Sequence, residues 1–227
     1  MSIPLPIGSQ RTQMLEQLAR LCRTGDSSRA QRLAAPSGFP ELDANLPGGG
    51  WPIGAIAELM SDATGIGELS LLMPVLSRLA RAGRYIACIA PPYLPYAPAL
   101  AQRGLPLERL LLIQTRSLQE SLWATEQALR CPAVGAVLGW PAYIVDRNVR
   151  RLQLAAEAGG SLGILYRPPE AARESSPAAL RLRLHAAPDG LAVEIQKSRG
   201  GAAGITLRVA VASMAVASTG VTPTVAA

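Results

Sequence analysis

The residues with the clearest chemical pattern are those that follow the apolar run Ala55–Met60. This run has the composition of a buried strand, SDATGIGE after it is a turn of small residues, and LSLLMPVLSRLARAG has the apolar face of a helix. A strand, a glycine turn and a helix N-terminus form the usual cradle for nucleotide phosphates. That cradle also needs a lysine for the phosphates and a hydroxyl for Mg²⁺, but Ile66 and Gly67 follow Gly65. The pattern predicts a nucleotide-binding scaffold without the residues of phosphoryl transfer.

No other catalytic or metal-binding pattern accompanies this loop. His185 is the single histidine and has no serine, cysteine or carboxylate motif beside it, so an exposed strand position is favoured over a catalytic triad. Cys22, Cys88 and Cys131 show no CxxC spacing, which argues against a zinc site or a disulfide framework. The second and third of these lie in or beside apolar runs, and we interpret them as small core residues. We therefore expect neither a metal nor a cofactor.

The elements that must position the loop alternate between strands and helices. Strands are predicted at Ala55–Met60, Tyr85–Ala90, Leu110–Gln114, VGAVLGWP and SLGILYRPP, and helices at Leu69–Ala82, Tyr96–Arg103, SLQESLWATEQALRC and VDRNVRRLQLAAEAGG. Strands that are apolar throughout are typical of a parallel sheet covered by helices on both faces. After Arg167, LRLRLHA and LAVEIQKSR alternate around APDG, which predicts an antiparallel hairpin, and GITLRVAV adds a strand. The predicted fold class is α/β, with a mostly parallel central sheet and antiparallel strands near the C-terminus.

The composition favours a basic protein with a core of small aliphatic residues. Hydrophobic residues make up 49% of the 227 residues but aromatic ones only 4%, and the net charge of +6 is carried almost wholly by arginine. Positive charge favours nucleic acid or an acidic partner, although an arginine-rich proteome would give the same charge without a ligand. The start of the chain has no signal-peptide pattern, and no uncharged stretch is suited to span a bilayer. We expect a soluble cytoplasmic protein without membrane contact.

The chain divides into a central domain and two extensions. Residues 37–211 form the predicted domain, residues 1–36 an amphipathic helix with a polar linker, and residues 212–227 a flexible tail. The apolar positions of the N-terminal helix are Met14, Leu15, Leu18, Leu21 and Cys22. This helix either covers a partner or packs back on its own domain. Met14, Leu18 and Leu21 are therefore candidates for partner binding.

The order of features from Ser37 to Val211 resembles the core of the RecA recombinase. There, too, a short Leu-Asp helix and a glycine turn lead into the strand before the phosphate loop. More closely, SGFPELDANLPGGGWPIGAIAEL, together with GIGEL in place of a lysine-bearing loop, resembles the ImuA family. Members of that family are RecA-like accessory proteins of translesion DNA synthesis and are also described as SulA-like. The segments GGGWP and GIGEL are the most specific parts of the resemblance, which implies a degenerate RecA-like domain.

The resemblance implies a non-catalytic adaptor of SOS-induced mutagenic DNA synthesis. Its partner would be an ImuB-type homologue of the Y-family polymerases. An error-prone replicative polymerase and RecA itself would be further partners, and contact with DNA would be indirect or weak. The alternative is a SulA-like inhibitor of cell division, which shares the degenerate core. The length of the chain and the GFPELD and GGGWP segments favour the adaptor.

The resemblance also assigns the catalytic positions of three RecA segments to residues of this chain. In the phosphate loop, Ile66 takes the place of the lysine and Gly67 that of the Mg²⁺-binding hydroxyl. Pro91 and Pro92 stand where a glutamate should activate water. Gly139, Trp140 and Pro141 stand where a strand should end in a metal-binding aspartate. Phosphoryl transfer depends on positioning and on neutralising the charge of the phosphates. Three independent losses on one scaffold predict that the chain is not an ATPase.

The vacated nucleotide pocket is expected to have become either a packed or a protein-binding surface. A bulky residue at Trp140 would occupy it, with Pro91, Pro92 and Tyr93 adjacent. Glycine amides at a helix N-terminus can still hold an anion. However, Asp62 and Glu68 flank the loop and are expected to repel phosphate.

Basic residues late in the chain are further candidates for partner binding. EIQKSRGGAAGITLRV resembles the late strand of RecA-like cores, where a basic pair reaches the nucleotide of a neighbouring subunit, and Lys197 and Arg199 have the matching spacing. Without ATP they would be available to an acidic protein surface or to phosphate, Arg199 being the better suited of the two. The alternative is a pair of solvated charges at a strand end.

Two other arginine-bearing segments are weaker candidates for contact with DNA. One is a helix face that carries Arg147, Arg150 and Arg151, for which a solvated surface is favoured. The other is the polar loop of residues 168–177, in which glutamates balance the arginines. A net-neutral loop without an aromatic residue is a poor binder of nucleic acid.

Overall fold

The computed structural model describes residues 34–61, 63–141 and 143–211. Its helices are α1 (Pro40–Asp43), α2 (Glu68–Arg81), α3 (Ala97–Gln102), α4 (Leu118–Arg130) and α5 (Asp146–Gly159). Its strands are β1 (Ala34–Ala35), β2 (Trp51–Pro52), β3 (Ala55–Ser61), β4 (Tyr85–Ile89), β5 (Leu110–Ile113), β6 (Val134–Gly139), β7 (Leu162–Arg167), β8 (Leu180–Ala187), β9 (Gly190–Ser198) and β10 (Ile205–Val209). The predicted N-terminal helix with Met14, Leu18 and Leu21, and the predicted tail, lie outside the described residues.

Eight of these strands form one mixed sheet in the order β10-β9-β8-β3-β7-β6-β4-β5. Strand β3, which leads into the glycine loop, pairs in parallel with β7 on one side and β8 on the other. The pairs β6–β7, β4–β6 and β4–β5 are also parallel, whereas β8–β9 and β9–β10 are antiparallel. The predicted mixed α/β fold, with a mostly parallel central sheet and late antiparallel strands, is confirmed.

Helices cover both faces of the parallel part of the sheet, and each face has its own core. The side chains of β3 alternate between the two because successive residues of a strand point to opposite faces. Ala57 and Leu59 join the core under α2, whereas Ile56 joins the core under α4 and α5. In the second core the side chain of Ile56 packs directly on the backbone of Gly163, since a Cβ on Gly163 would lie 2.3 Å from that side chain.

The signals that begin and end the helices act as the sequence predicts. At the start of α4, the hydroxyl of Ser117 accepts a hydrogen bond from the amide of Glu120, and the Glu120 carboxylate accepts one from the amide of Arg116. Helix α5 is followed by Gly160, whose φ of 62° suits the left-handed position after a helix.

No helix in the described ranges is long and apolar enough to cross a membrane.

The segment of residues 168–177 differs from the predicted open polar loop. Pro169–Arg173 forms a 3₁₀ turn, and basic side chains of β8 and β9 bind backbone carbonyls of the segment. Arg181 donates to the carbonyls of Ala171 and Glu174, and Lys197 donates to that of Ser176. These donors come from later strands, so the pattern of the segment itself could not reveal that it is held against the sheet.

The cysteines agree only in part with the sequence prediction. Cys88 is free and buried, as expected for a small core residue. Cys131 is buried as well, but it is disulfide-bonded, so the expectation that no disulfide involves it is wrong. Spacing along the chain could not show this, because the pairing of cysteines depends on the folded structure.

A buried ion cluster joins the parallel and antiparallel parts of the sheet. The carboxylate of Glu58 on β3 is fully buried and accepts hydrogen bonds from two guanidinium groups. The Nη1 of Arg167, at the end of β7, lies 2.8 Å from one carboxylate oxygen, and the Nε of Arg181, on β8, lies 2.8 Å from the other. Arg167 also contacts the half-exposed carboxylate of Glu174. Removing the central carboxylate would leave two buried cations without compensation.

We predict that Glu58→Gln lowers the free energy of unfolding by roughly 3–5 kcal/mol, because it breaks a buried ion pair at its centre. Glu174→Gln is the matched control, since it removes an exposed carboxylate from the same cluster and should cost less than about 1 kcal/mol. Urea denaturation of the two variants and the wild type measures both values. Equal losses in the two variants would contradict the assignment of Glu58 as the centre of the cluster.

Candidate functional site: a closed phosphate loop

The candidate site lies at the edge of the sheet where the parallel strands β3, β4 and β6 end. Open α/β sheets bind their ligands at this edge, in the crevice outside the carboxyl ends of the strands. The glycine turn between β3 and α2 lies here, and the segments that follow β4 and β6 lie at the same edge, because β3, β7, β6 and β4 are successive parallel strands of the sheet. The fold therefore places the degenerate loop where a phosphate cradle belongs.

The anion position of the loop is taken by the protein itself. Glu68 is the first residue of α2, and its carboxylate turns back onto the loop. The amide of Gly65 donates to Oε1 at 2.7 Å and the amide of Gly67 donates to Oε2 at 3.0 Å. Amides at the start of a helix, reinforced by the helix dipole, are the groups that hold phosphate in nucleotide-binding loops. The sequence predicts only that Glu68 repels phosphate, whereas in the structure it also occupies the donors.

Two residues of the loop, Ile66 and Gly67, pack against the protein. Gly67 has a φ of 112°, and a Cβ there would lie 3.0 Å from the side chain of Val211, so the loop is held against the end of the described chain. Ile66, at the position where the resemblance implies a lysine, is partly buried and packs against the core under α2. An apolar side chain directed into the core cannot neutralise the charge of a phosphate.

Two aromatic rings stack beside the loop. Trp140 follows the last residue of β6, Tyr166 lies on β7, and their ring centroids are 4.8 Å apart with planes inclined by 6°. Trp140 packs against the core, as the sequence predicts for a residue that fills the vacated pocket. Its ring partner is nevertheless Tyr166, which sequence reasoning missed. Among the expected neighbours, Tyr93 is 73% exposed and does not fill the pocket.

Burial in the interior behind the loop shifts the pKa values of two groups. Burial raises the pKa of the Tyr166 hydroxyl well above its usual value, and the nearby charges of Glu68 and Cys88 raise it further. Burial also raises the pKa of the Cys88 thiol to about 12. The Tyr166 hydroxyl is buried and has no hydrogen-bond partner among the described residues. Both groups are therefore held neutral in a space with little water.

The described part of the chain offers no obvious place for a metal ion near this loop. No group of three or more His, Cys, Asp or Glu side chains in it is arranged to hold one. Strand β6 ends at Gly139, followed by Trp140 and the buried Pro141, and β4 is followed by the buried Pro91 and the exposed Pro92. The site thus presents packed apolar groups where a metal-dependent NTPase needs carboxylates.

The predicted basic pair lies away from the loop. Lys197 and Arg199 lie at and just beyond the end of β9, whereas Leu191, at its other end, lies against Gly67. The Nζ of Lys197 donates to the carbonyl of Ser176, and Arg199 donates to that of Pro177 at 3.3 Å. Burial, followed by the charges of Arg199 and Arg181, lowers the pKa of Lys197. Both residues help to hold the segment of residues 168–177, and Arg199 is exposed as well.

The other predicted side chains are also apart from the loop. Arg147, Arg150 and Arg151 are exposed on α5. The Nε of Arg151 lies 2.9 Å from the carboxylate of Glu126 on α4, so this arginine joins two helices. His185 lies on β8 and is half-buried rather than exposed. The structure therefore does not gather these residues into one site.

The stability of the protein at high pH depends on the buried side chains of Cys88 and Tyr166. The pKa values of Cys88 and Tyr166 are raised in the folded state. Their contribution to the free energy of unfolding is therefore complete below the pKa values of the unfolded chain, and it is lost as the pH rises through about 9 to 12. Tyr166→Phe removes an unpartnered buried hydroxyl. We therefore expect it to raise the free energy of unfolding by about 1 kcal/mol near neutral pH and to reduce the loss at high pH.

Urea denaturation from about pH 7 to about pH 11 measures this effect. The matched control is Tyr143→Phe, which alters a tyrosine that is 61% exposed and should leave the curve unchanged. A loss of stability in Tyr166→Phe at neutral pH would show that the hydroxyl has a favourable partner, contrary to this description.

The central part of the chain is similar in sequence to a family of cell-division inhibitors. The family model "Cell division inhibitor SulA" matches residues 54–163, which include the closed loop and the stacked Trp140. The cell division inhibitor SulA of Photorhabdus laumondii is 30% identical over 118 residues, which are 51% of this chain and 67% of that protein. The crystal structure of SulA from Pseudomonas aeruginosa is 28% identical and covers 50% of this chain and 97% of that one, with a TM-score of 0.43.

A longer match relates the chain to a second protein. Protein ImuA of Caulobacter vibrioides is 30% identical over 194 residues, which cover 74% of this chain and 79% of that protein. This match extends well beyond the part that is similar to SulA. It therefore includes elements of the sheet outside the family model. The chain belongs to the ImuA family.

Proposed function

We propose that this chain is a non-catalytic, RecA-shaped adaptor of translesion DNA synthesis that binds an ImuB-type homologue of the Y-family polymerases. The kinship with ImuA and SulA proteins associates the chain with the SOS response. The observation that carries the proposal further is the Glu68 carboxylate on the amides of Gly65 and Gly67. A loop whose anion donors are bonded internally is suited to a structural role.

A RecA-like ancestry is supported by the arrangement of the sheet. The loop strand β3 lies inside the sheet between β7 and β8, and antiparallel strands extend it beyond β8. This is the organisation that the resemblance of the sequence implies. The same scaffold in an active enzyme would direct charged groups at the loop, whereas here Ile66 and Trp140 pack against the core. We infer that the scaffold is retained for its shape and surfaces.

An exposed aromatic surface beside the loop supports binding to a protein. We name it the aromatic edge; it consists of Tyr93, Leu94, Tyr96 and Tyr143, each at least 60% exposed. The first three follow β4 and the last follows β6, and these strands are paired neighbours. Tyrosine is enriched among the residues that dominate binding energy at protein interfaces. In a chain with only 4% aromatic residues, three exposed tyrosines at one edge favour a protein partner.

Other candidate contacts remain part of the proposal. The segment with Met14, Leu18 and Leu21 has the pattern of a helix with one apolar face, which could pack on a neighbouring protein. Arg199 is exposed and offers a fork of donors to an acidic surface. Lys197 contributes indirectly through its bond to Ser176. An error-prone replicative polymerase and RecA are further proposed partners.

A second candidate function is the inhibition of cell division. It is favoured by the match of the SulA family to residues 54–163, since these residues contain both the closed loop and the aromatic edge. In that case the surface would bind the tubulin-like division protein and block its polymerisation. The longer match to ImuA makes the adaptor the first choice.

We predict that the full chain, immobilised and offered both purified proteins, retains the ImuB-type polymerase homologue and not the division protein. Leu18→Asp should weaken that binding by about tenfold or more, because it places a charge in the predicted apolar face. Gln13→Asp is the matched control on the opposite face of the predicted helix and should bind like the wild type. Retention of the division protein alone would favour the second function. Equal losses in both variants would remove the N-terminal helix from the interface.

A further inference from the structure

An open groove runs along one side of α2, outside the closed loop and the aromatic edge. It encloses roughly 650 Å³. Its walls come from four parts of the described chain: α2 itself, the segment before α1, the residue after α3, and the residue after β10. We name it the arginine groove; the residues that characterise it are Phe39, Met73, Pro74, Arg78, Arg81 and Arg103.

The rim of the groove is strongly positive. Three guanidinium groups line it, and none of the described lining residues carries a carboxylate. Two of these groups are oriented by the backbone: Arg78 donates through Nη1 to the carbonyl of Pro36 at 2.8 Å, and Arg81 donates through Nε to that of Gly104 at 3.2 Å. Each of these bonds uses one N–H group of a guanidinium that has several. A fixed guanidinium loses less entropy when it binds a carboxylate than a freely moving one.

The floor of the groove is apolar. Met73 is buried, Phe39 is partly buried against the core, and Pro74 lies between them and the arginines of the same helix. An arginine rim above an apolar floor suits a peptide in which one apolar side chain lies between two negatively charged residues. A nucleic acid is a poorer fit, because the lining has a single aromatic residue and no platform on which successive bases could stack.

One end of the groove carries polar groups without partners. The hydroxyl of Ser70 lines the groove, is buried, and has no hydrogen-bond partner in the described part of the chain. Pro74 has no N–H, so the carbonyl of Ser70 also lacks the bond that a helix would normally provide from four residues later. An extended peptide has backbone donors and acceptors for groups of this kind.

We propose that the arginine groove binds an acidic peptide segment of another protein, with one apolar side chain on the floor and carboxylates on the arginines. The chain's own residues 212–227 fit poorly, although Ala210 lines the groove, because they contain no aspartate or glutamate. Residues 1–33 of this chain also fit poorly, because they carry five arginines against only Glu16 and Asp26. Charge complementarity therefore assigns the groove to a different chain. This inference goes beyond the proposed function and does not depend on which protein occupies the aromatic edge.

Fluorescence anisotropy with the full chain tests the proposal. The probe is a labelled peptide in which aspartates flank a central leucine; one control peptide replaces the leucine by glycine, and another replaces the aspartates by asparagine. Arg81→Glu should weaken binding of the probe by about tenfold or more, and both control peptides should bind more weakly than the probe. Arg173→Glu, which makes the same charge change at an exposed position outside the groove, should bind the probe like the wild type.

The possible results distinguish between an acidic peptide and other possible occupants of the groove. Thermal melting of each variant confirms that the fold is intact, which is expected because Arg81 and Arg173 are exposed. Failure of the wild type to bind the probe would overturn the proposal. So would equal weakening by both variants, displacement of the probe by single-stranded DNA at lower concentration than by unlabelled peptide, or binding that occurs only after residues 212–227 are removed. Loss of binding in Arg81→Glu alone supports it.

Discussion

The closed state of the glycine loop depends on the bonds between the Glu68 carboxylate and the amides of Gly65 and Gly67. These amides point to the position that a phosphate would occupy, and the start of α2 favours a negative charge there. With an internal carboxylate in that position, the loop needs no ligand to satisfy its donors. A phosphate would have to displace the carboxylate and then remain beside it, without a cation to compensate either charge. The loop is therefore stable as a structural turn and poorly suited to nucleotides.

The surroundings of the loop have the same character. Trp140 and Tyr166 stack in the space beside it, and burial keeps the Tyr166 hydroxyl and the Cys88 thiol neutral. The buried Glu58, bound by arginines of β7 and β8, fastens the antiparallel strands to the strand that leads into the loop. The space beside the loop is thus filled by packed side chains. The aromatic edge and the arginine groove are exposed surfaces outside this packed region.

The sequence predicts the alternation of strands and helices well, because the apolar runs, the Ser117 cap and the glycine after α5 are local signals. It also predicts that the loop lacks its lysine. It does not predict that the Glu68 carboxylate bonds to the loop, since charge alone gives repulsion and says nothing of where the group lies. The pairing of Trp140 with Tyr166, and the binding of residues 168–177 by basic side chains, depend on contacts between distant parts of the chain. Glu58 within the apolar run AIAELMS was the one visible sign of the buried cluster.

Hydrogen–deuterium exchange of the glycine loop in the full chain, with and without a saturating concentration of Mg·ATP, tests the central claim most directly. The amides of Gly65 and Gly67 already donate to Glu68, so their exchange rates should be the same in both conditions. Slower exchange of these two amides in the presence of Mg·ATP would show that the loop binds the triphosphate, and it would contradict the account of a scaffold closed by its own carboxylate.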